Sequence, residues 1–247
     1  MQIEATLIDK MGSDLTVVNA ARVSFNKKSQ WENILEVEAY SEKPLLQKND
    51  IKLISYLAKH KHTSPFGHCF ASFHVKAPIF VARQLVKHKF LRWNEVSRRY
   101  VDDEPEFYVP DEWRLKADNV KQGSSDETIK LLDIDMYGFK INDTYQDDTI
   151  PTVPMETYLY SILDDLDMLY NKLLSANIAP EMARMVLPQN AMTEWYWSGS
   201  LDAFADMCRL RLDSHAQYES RIVAEQISKE MEQLFPVSWK ALLNDSN

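Results

Sequence analysis

Apolar and polar positions alternate loosely from Ile3 to Ile8 and stop at Met11-Gly12-Ser13-Asp14. This predicts a strand, then a turn that can cap a helix over Leu15 to Val23. Asp50 to Ala58 carries apolar groups at helical spacing behind an aspartate, which predicts a second helix with Asp50 as its cap, followed by a histidine-rich loop from His60 to Phe66. Next, Cys69, Ala71, Phe73 and Val75 alternate with His68, Phe70, Ser72 and His74, the period of a strand with one buried face. Pro78 suits the first position of a helix reaching about His88. Ile79, Val81, Ala82, Leu85 and Val86 form its apolar side, and Arg83, Gln84, Lys87 and His88 share the opposite arc.

Beyond a polar, acidic excursion at about 110–154, helices are predicted over Met155 to Ala176, over Ala179 to Leu187 behind Pro180, and after Ser200. The last of these carries Leu201, Phe204, Ala205, Cys208 and Leu212 at i, i+3, i+4 spacing. A final helix starts near Ser214 and carries Ile222, Val223, Ile227, Met231 and Leu234 before Pro236. Strands are expected in the first half and helices throughout. The fold class is α+β, a mainly antiparallel sheet wrapped by helices in a single catalytic domain spanning 1–247.

Composition narrows the chemistry. A chain of 247 residues with 45% hydrophobic content can bury a substantial core. Its first residues lack a basic region followed by an apolar run, and no stretch approaches the roughly 20 apolar residues of a membrane span. A cytoplasmic protein without membrane contact is expected. The net charge of −9 disfavours nucleic-acid binding, which needs a positive surface to displace counterions. Two distant cysteines without CxxC or histidine pairing argue against a disulfide framework or a metal site. With only five glycines, and neither GxxxxGK[ST] nor GxGxxG, any nucleotide must be held by side chains.

Against this acidic background, residues Arg83 to Tyr100 gather cations, amides, a serine and aromatic rings where a helix is expected to give way to a loop. Such a run either receives an anionic ligand or is a solvated basic face. Its core, Lys87-His88-Lys89 through Ser97 to Arg99, preceded by Arg83-Gln84 and including Asn94-Glu95, resembles the signature RHRxxSxxxxSxR of flavin-dependent thymidylate synthases. The likeness continues, in order, through Asn19 to Phe25, His62-Thr63-Ser64-Pro65-Phe66, Ala183 to Pro188, and Leu210-Arg211-Leu212-Asp213-Ser214-His215-Ala216-Gln217. Departures are also plain. Lys87 and Lys89 replace signature arginines and lose the bidentate fork. Arg92 replaces the first signature serine. Ser200-Leu201-Asp202 stands where many members carry Asn-x-Arg, with Asp206 at a later asparagine position.

The resemblance implies reductive methylation of dUMP to dTMP using FAD, NADPH and methylenetetrahydrofolate, in a homotetramer whose sites are shared between subunits. It implies that Val96, Ser97, Arg98, Arg99 and Arg184 hold the dUMP phosphate, with Gln84 and Lys87 reaching in from another subunit. Arg211 would be the catalytic group, stabilising negative charge on the uracil ring. His62, Ser64, Lys87, His88, Lys89, Glu95, Ser200 and Asp206 would line the flavin, and Glu95 would also bridge to the nucleotide. Classical thymidylate synthases use a cysteine nucleophile on a different fold. Here Cys69 and Cys208 sit on apolar faces, where a thiol stays protonated. Two alternatives remain open at this stage: methylation or hydroxymethylation of another pyrimidine deoxynucleotide, and a module that binds single-stranded nucleic acid through Trp93 and Tyr100.

Overall fold

The computed structural model describes residues 2–32, 45–101, 103–118, 123–129, 133–135 and 152–244. In chain order its elements are β1 (Glu4–Met11), α1 (Asp14–Arg22), α2 (Lys48–Lys59), β2 (Phe70–Pro78), α3 (Ile79–Leu85), β3 (Leu91–Glu95), β4 (Trp113–Lys116) and β5 (Ser124–Ile129). These are followed by β6 (Asp133–Asp135), β7 (Thr152–Pro154), α4 (Met155–Ser175), α5 (Pro180–Ala183), β8 (Met192–Ser200), α6 (Leu201–Arg211), α7 (Tyr218–Leu234) and α8 (Pro236–Leu243). The expected α+β class of helices and antiparallel sheet is what these elements build.

Two compact units form. The larger takes in Ile3–Lys76, Val81–Glu95 and the chain from Glu194 onward, and holds a four-stranded sheet in the order β1-β2-β8-β3. β1 pairs antiparallel with β2, and β3 with β8. Between the central strands, Ser72 meets Ser198, and Lys76 and His74 meet Glu194, so side chains match in opposite chain directions there too. The predicted alternation of β2 holds: Ala71, Phe73 and Val75 are buried, with Cys69 just before them, while Ser72 and His74 remain half-exposed. The inner face is aromatic. Trp93 stacks on Trp195 with centroids 4.3 Å apart, and Trp197 meets Phe204 edge-on at 5.7 Å. Offset and edge-to-face contacts of this kind add to the area term of burial.

Several elements depart from the sequence reading, each because a distant partner decides. β8 lies in the second half and β3 lies inside the basic run that was expected to be a loop. Each satisfies its backbone through the other. α3 begins after Pro78, which ends β2, and it stops at Leu85, so Val86 is 47% exposed rather than packed. Asp50 does not cap α2, whose N-cap is Gln47; its carboxylate is buried and accepts hydrogen bonds from Arg22 and Ser29. Ser13 is the residue before α1, while the buried Asp14 carboxylate accepts the backbone N–H groups of Val237 (3.0 Å) and Ser238 (2.9 Å) at the start of α8, a helix beyond Pro236 that the sequence reading did not predict. A carboxylate meets unpaired helix N–H groups favourably.

The second unit holds Ala77–Phe80 and the stretch from Val96 to Thr193. Here Ile79 and Phe80 donate to Ala191 and Gln189, and Met192 donates to Glu106. α4 packs against β7, α5 and the short 3₁₀ turn Arg184–Val186, which ends the helix predicted from Ala179. In the acidic excursion the described residues form two short antiparallel pairs, β4–β5 and β6–β7, instead of helix. Its residues 119–122, 130–132 and 136–151 lie outside the described residues.

Gly199 of β8 packs closely against the chain entering β3. A Cβ there would run into Leu91 Cδ2 and lie 3.0 Å from the Phe90 carbonyl oxygen. The leucine can turn, but the backbone oxygen cannot without shifting β3. Gly199→Ala should therefore cost about 1–3 kcal/mol by overpacking, and thermal unfolding should show a midpoint several degrees lower.

Candidate active site

Three residues from distant parts of the chain converge in the larger unit. β8 runs directly into α6, which carries Arg211 at its C-terminal end, and β3, paired with β8, returns from the turn after α3. Arg211 thereby meets that turn. Its Nε donates to His88 Nε2 at 3.0 Å, Nη1 donates to Gln84 Oε1 at 3.4 Å, and Nη2 donates to the Gln84 carbonyl oxygen at 3.3 Å. The last acceptor belongs to the final turn of α3, where carbonyls have no helical partner.

Because Arg211 presents a proton, His88 Nε2 must be an unprotonated acceptor, with any ring proton on Nδ1. The electrostatics agree. Burial, helped by the neighbouring guanidinium, pushes the imidazole down to about 4, opposed by Asp206. Burial also lowers the Arg211 pKa, yet a guanidinium starts so high that it stays charged. The cluster is thus a cation whose partners here, His88 and Gln84, are neutral. The ring of His88 faces Trp197 edge-on at 6.4 Å.

The remaining candidates in this unit lie on the turn after α3, on β3, in the loop after α2 and on α6. Lys87, Lys89 and Phe90 are exposed on the turn, where Phe90 adopts a left-handed conformation at φ 64°. Such backbone in a bulky non-glycine residue is uncommon and gathers at functional sites. Glu95 accepts from Trp93 Nε1 at 3.0 Å. His62 and Ser64 are exposed in the loop after α2, where His62, His60 and Tyr56 form a ring cluster with centroids 4.2–6.4 Å apart. Ser200 takes the N-cap position of α6 without a capping bond from its side chain, and Asp206 pairs with Arg209. Gln84 does more than its place on the polar arc suggested. Its amide accepts from Ser220 Oγ at 3.3 Å and donates to Gln217 Oε1. Gln217 entered the sequence reading only as the end of the Leu210-to-Gln217 block, and Ser220 not at all, since a glutamine and a serine at a helix start usually read as caps.

In the other unit, Ser97 to Tyr100 form a turn closed by Tyr100 N–H on the Ser97 carbonyl oxygen at 2.9 Å. Arg99 reaches Ser97 Oγ with its Nε at 3.3 Å and lies over the Tyr100 ring at 5.0 Å. Arg98 is held by the Asp103 carbonyl oxygen at 2.7 Å. Val96 is exposed, and so is Arg184, whose Nε donates to the Glu181 carbonyl oxygen at 3.4 Å.

Both thiols sit where the sequence put them, on buried faces. Burial raises Cys69 to about 11 and pushes Cys208 higher still, so neither is a thiolate near neutrality. Both should resist Ellman's reagent at pH 8 in the folded protein and react only after unfolding. For His88 the depressed pKa means that between its unfolded value near 6.5 and about pH 4 only the unfolded chain takes up its proton, so acidification through that window destabilises the fold. Denaturant unfolding of His88→Gln, which keeps an acceptor but cannot titrate, should show a shallower loss of stability than the parent chain between pH 6.5 and 4.

The residues 6–237 match the family model described as thymidylate synthase complementing protein. Among relatives, the flavin-dependent thymidylate synthase of Thermosipho africanus is 34% identical over 240 residues, covering 96% of this chain and 89% of that protein. The enzyme of the same name from Treponema denticola is 38% identical over 221 residues, covering 89% and 71%. Among solved structures, the UMP/dUMP methylase PolB from Streptomyces cacaoi, bound with 5-Br dUMP, superposes with a TM-score of 0.71 at 28% identity, covering 98% of this chain and 95% of that one. With most of its length matched by the family model and by relatives above 30% identity, the chain belongs to the thymidylate synthase complementing protein family, that of the flavin-dependent thymidylate synthases.

Proposed function

We propose that this chain is a flavin-dependent thymidylate synthase that converts dUMP to dTMP with methylenetetrahydrofolate as one-carbon donor and NADPH as reductant. The observation that carries the reading is Arg211, a guanidinium held by neutral groups in a chain whose thiols are buried and protonated. To attack a one-carbon donor, C5 of uracil must become electron-rich. Thiolate addition at C6 is the covalent route, and neither cysteine can supply a thiolate. Stabilising negative charge on the ring carbonyl and N3 is the other route, and an unneutralised cation does that.

The residues suit FAD. The exposed Lys87 and Lys89 can meet a pyrophosphate, and the neutral His88 and the His62 ring can lie against a flat heterocycle. Ser64, Ser200 and Glu95 offer hydrogen-bonding groups, and the pairing of Asp206 with Arg209 compensates its charge. When bound and reduced by NADPH, the flavin would supply the hydride that completes the methyl group. The phosphate of dUMP falls to the turn at Val96, Ser97, Arg98 and Arg99 and to Arg184, with Gln84 and Lys87 offered by another subunit of a homotetramer. Guanidinium forks and backbone N–H groups suit a phosphate dianion.

The two units exchange the chain several times along the sequence, which supports treating residues 1–247 as one catalytic domain. No helix among the described residues is long and apolar enough to cross a membrane. The net charge of −9 favours small-molecule partners over nucleic acid, and a cytoplasmic setting fits both observations.

The test begins with the visible spectrum of the FAD-loaded protein under anaerobic NADPH, with dUMP, UMP or neither. Bleaching that dUMP accelerates, followed by dTMP formation with methylenetetrahydrofolate, is the expected result. Arg211→Ala should lower turnover by about 10²–10³-fold, as loss of a transition-state charge donor does. Absence of flavin binding, or a product other than dTMP, overturns the reading.

A further inference from the structure

Arg211 has five N–H groups. Three are engaged: one by His88, one by the Gln84 side chain and one by the Gln84 carbonyl oxygen. Among the described residues, one N–H on each terminal nitrogen therefore stays open. These are donors that can meet acceptors on a flat ring edge. What orients the guanidinium, and with it these donors, is the direction of the Gln84 amide. Its oxygen must face Arg211, because a reversed amide would set NH₂ donors against a donor-only guanidinium.

Two residues hold that direction. Ser220, fully buried on α7, donates its hydroxyl to Gln84 Oε1 at 3.3 Å, and Gln217 accepts from Gln84 Nε2. Gln217 stands directly before α7, on a turn stapled from within the helix. Arg221 Nη2 donates to the Ser214 carbonyl oxygen at 2.8 Å and to that of Ala216 at 3.3 Å. Asp213 closes the other side, accepting the His215 N–H at 2.8 Å. The turn is therefore fixed before any ligand arrives, and its rigidity passes through Gln217 and Gln84 to the guanidinium.

We propose that Gln217 and Ser220 are positioning residues of the methylation step, acting through the Gln84 amide to present two free N–H groups of Arg211 to the uracil edge. This rests on the reading of Arg211 as the partner of the ring. Because they would not touch the nucleotide, their loss should alter turnover more than binding. A misdirected guanidinium costs rate at the reacting ring, whereas the phosphate contacts assigned to Ser97, Arg99 and Arg184, which carry most of the hold on dUMP, are kept.

The test is a double-mutant cycle in the FAD-loaded full chain, with dTMP measured by chromatography of labelled nucleotide. Gln217→Met and Ser220→Ala are each placed in the parent and in the Arg211→Ala background. The expected result is a fall in kcat of roughly tenfold or more for either variant in the parent, with KM for dUMP within about twofold. In Arg211→Ala neither should cost anything further, because the residues act only through that guanidinium. Gln217→Glu, which keeps an acceptor oxygen, should recover most of the lost kcat. Equal losses in both backgrounds overturn the proposal, as does a parallel fall in kcat, dUMP affinity and melting temperature. An Arg211→Ala enzyme as active as the parent overturns the reading of Arg211 beneath it.

Discussion

The insertion of β8 between β2 and β3 is the constraint on which the larger unit depends. β8 follows β2 by more than a hundred residues, so the pairing closes a long loop before it gains a single hydrogen bond. The return is large. Trp195 and Trp197 bury their rings against Trp93 and Phe204, and the backbones of three strands are satisfied together. It also fixes the chemistry. β8 passes straight into α6, and β3 descends from the turn carrying His88, so the same ladder that builds the core brings residues 88 and 211 within hydrogen-bonding distance.

Legibility followed the range of the interaction. The strand at β2 and the buried stripe of α6 could be read because their signals are periodic and local: Ala71, Phe73 and Val75 at period two, and Leu201, Phe204, Ala205 and Cys208 at helical spacing. β8 carries an equally regular alternation, with Trp195, Trp197 and Gly199 on one face and Glu194, Tyr196 and Ser198 on the other. The helix-capping signal of Ser200, directly after Gly199, obscures that alternation. β3 was hidden by charge, since Arg92, Asn94 and Glu95 resemble a loop until a partner strand is supplied. The polar anchors were illegible for a different reason. Asp50 is decided by Arg22 and Ser29, and Gln84 by residues 133 and 136 positions away. Nothing within one turn of either residue reports such a partner.

The candidate site was legible mainly as motif order. Its residue types follow from the signature, but their electrostatic character required coordinates. A guanidinium on an acidic protein is ordinarily expected to find a carboxylate, which would neutralise it. At Arg211 the partners are instead an imidazole kept neutral by burial and an amide. Neutral acceptors orient a cation without cancelling its field, so the charge remains available to a ligand. The acidity of the whole chain and the basicity of the site are therefore compatible.

The hydrogen bonds from Val237 and Ser238 to Asp14 span 223 and 224 positions of sequence. During synthesis on a ribosome, the chain leaves the exit tunnel from its N-terminus, and the carboxylate appears long before its partners exist. Until then α1 carries a charge that belongs in the interior with nothing to receive it. The helix can form early, but it cannot be sealed into its final environment until residues 237 and 238 arrive. The order of translation thus makes consolidation around this carboxylate a late event, and a nascent chain stalled before residue 237 leaves Asp14 without these two donors.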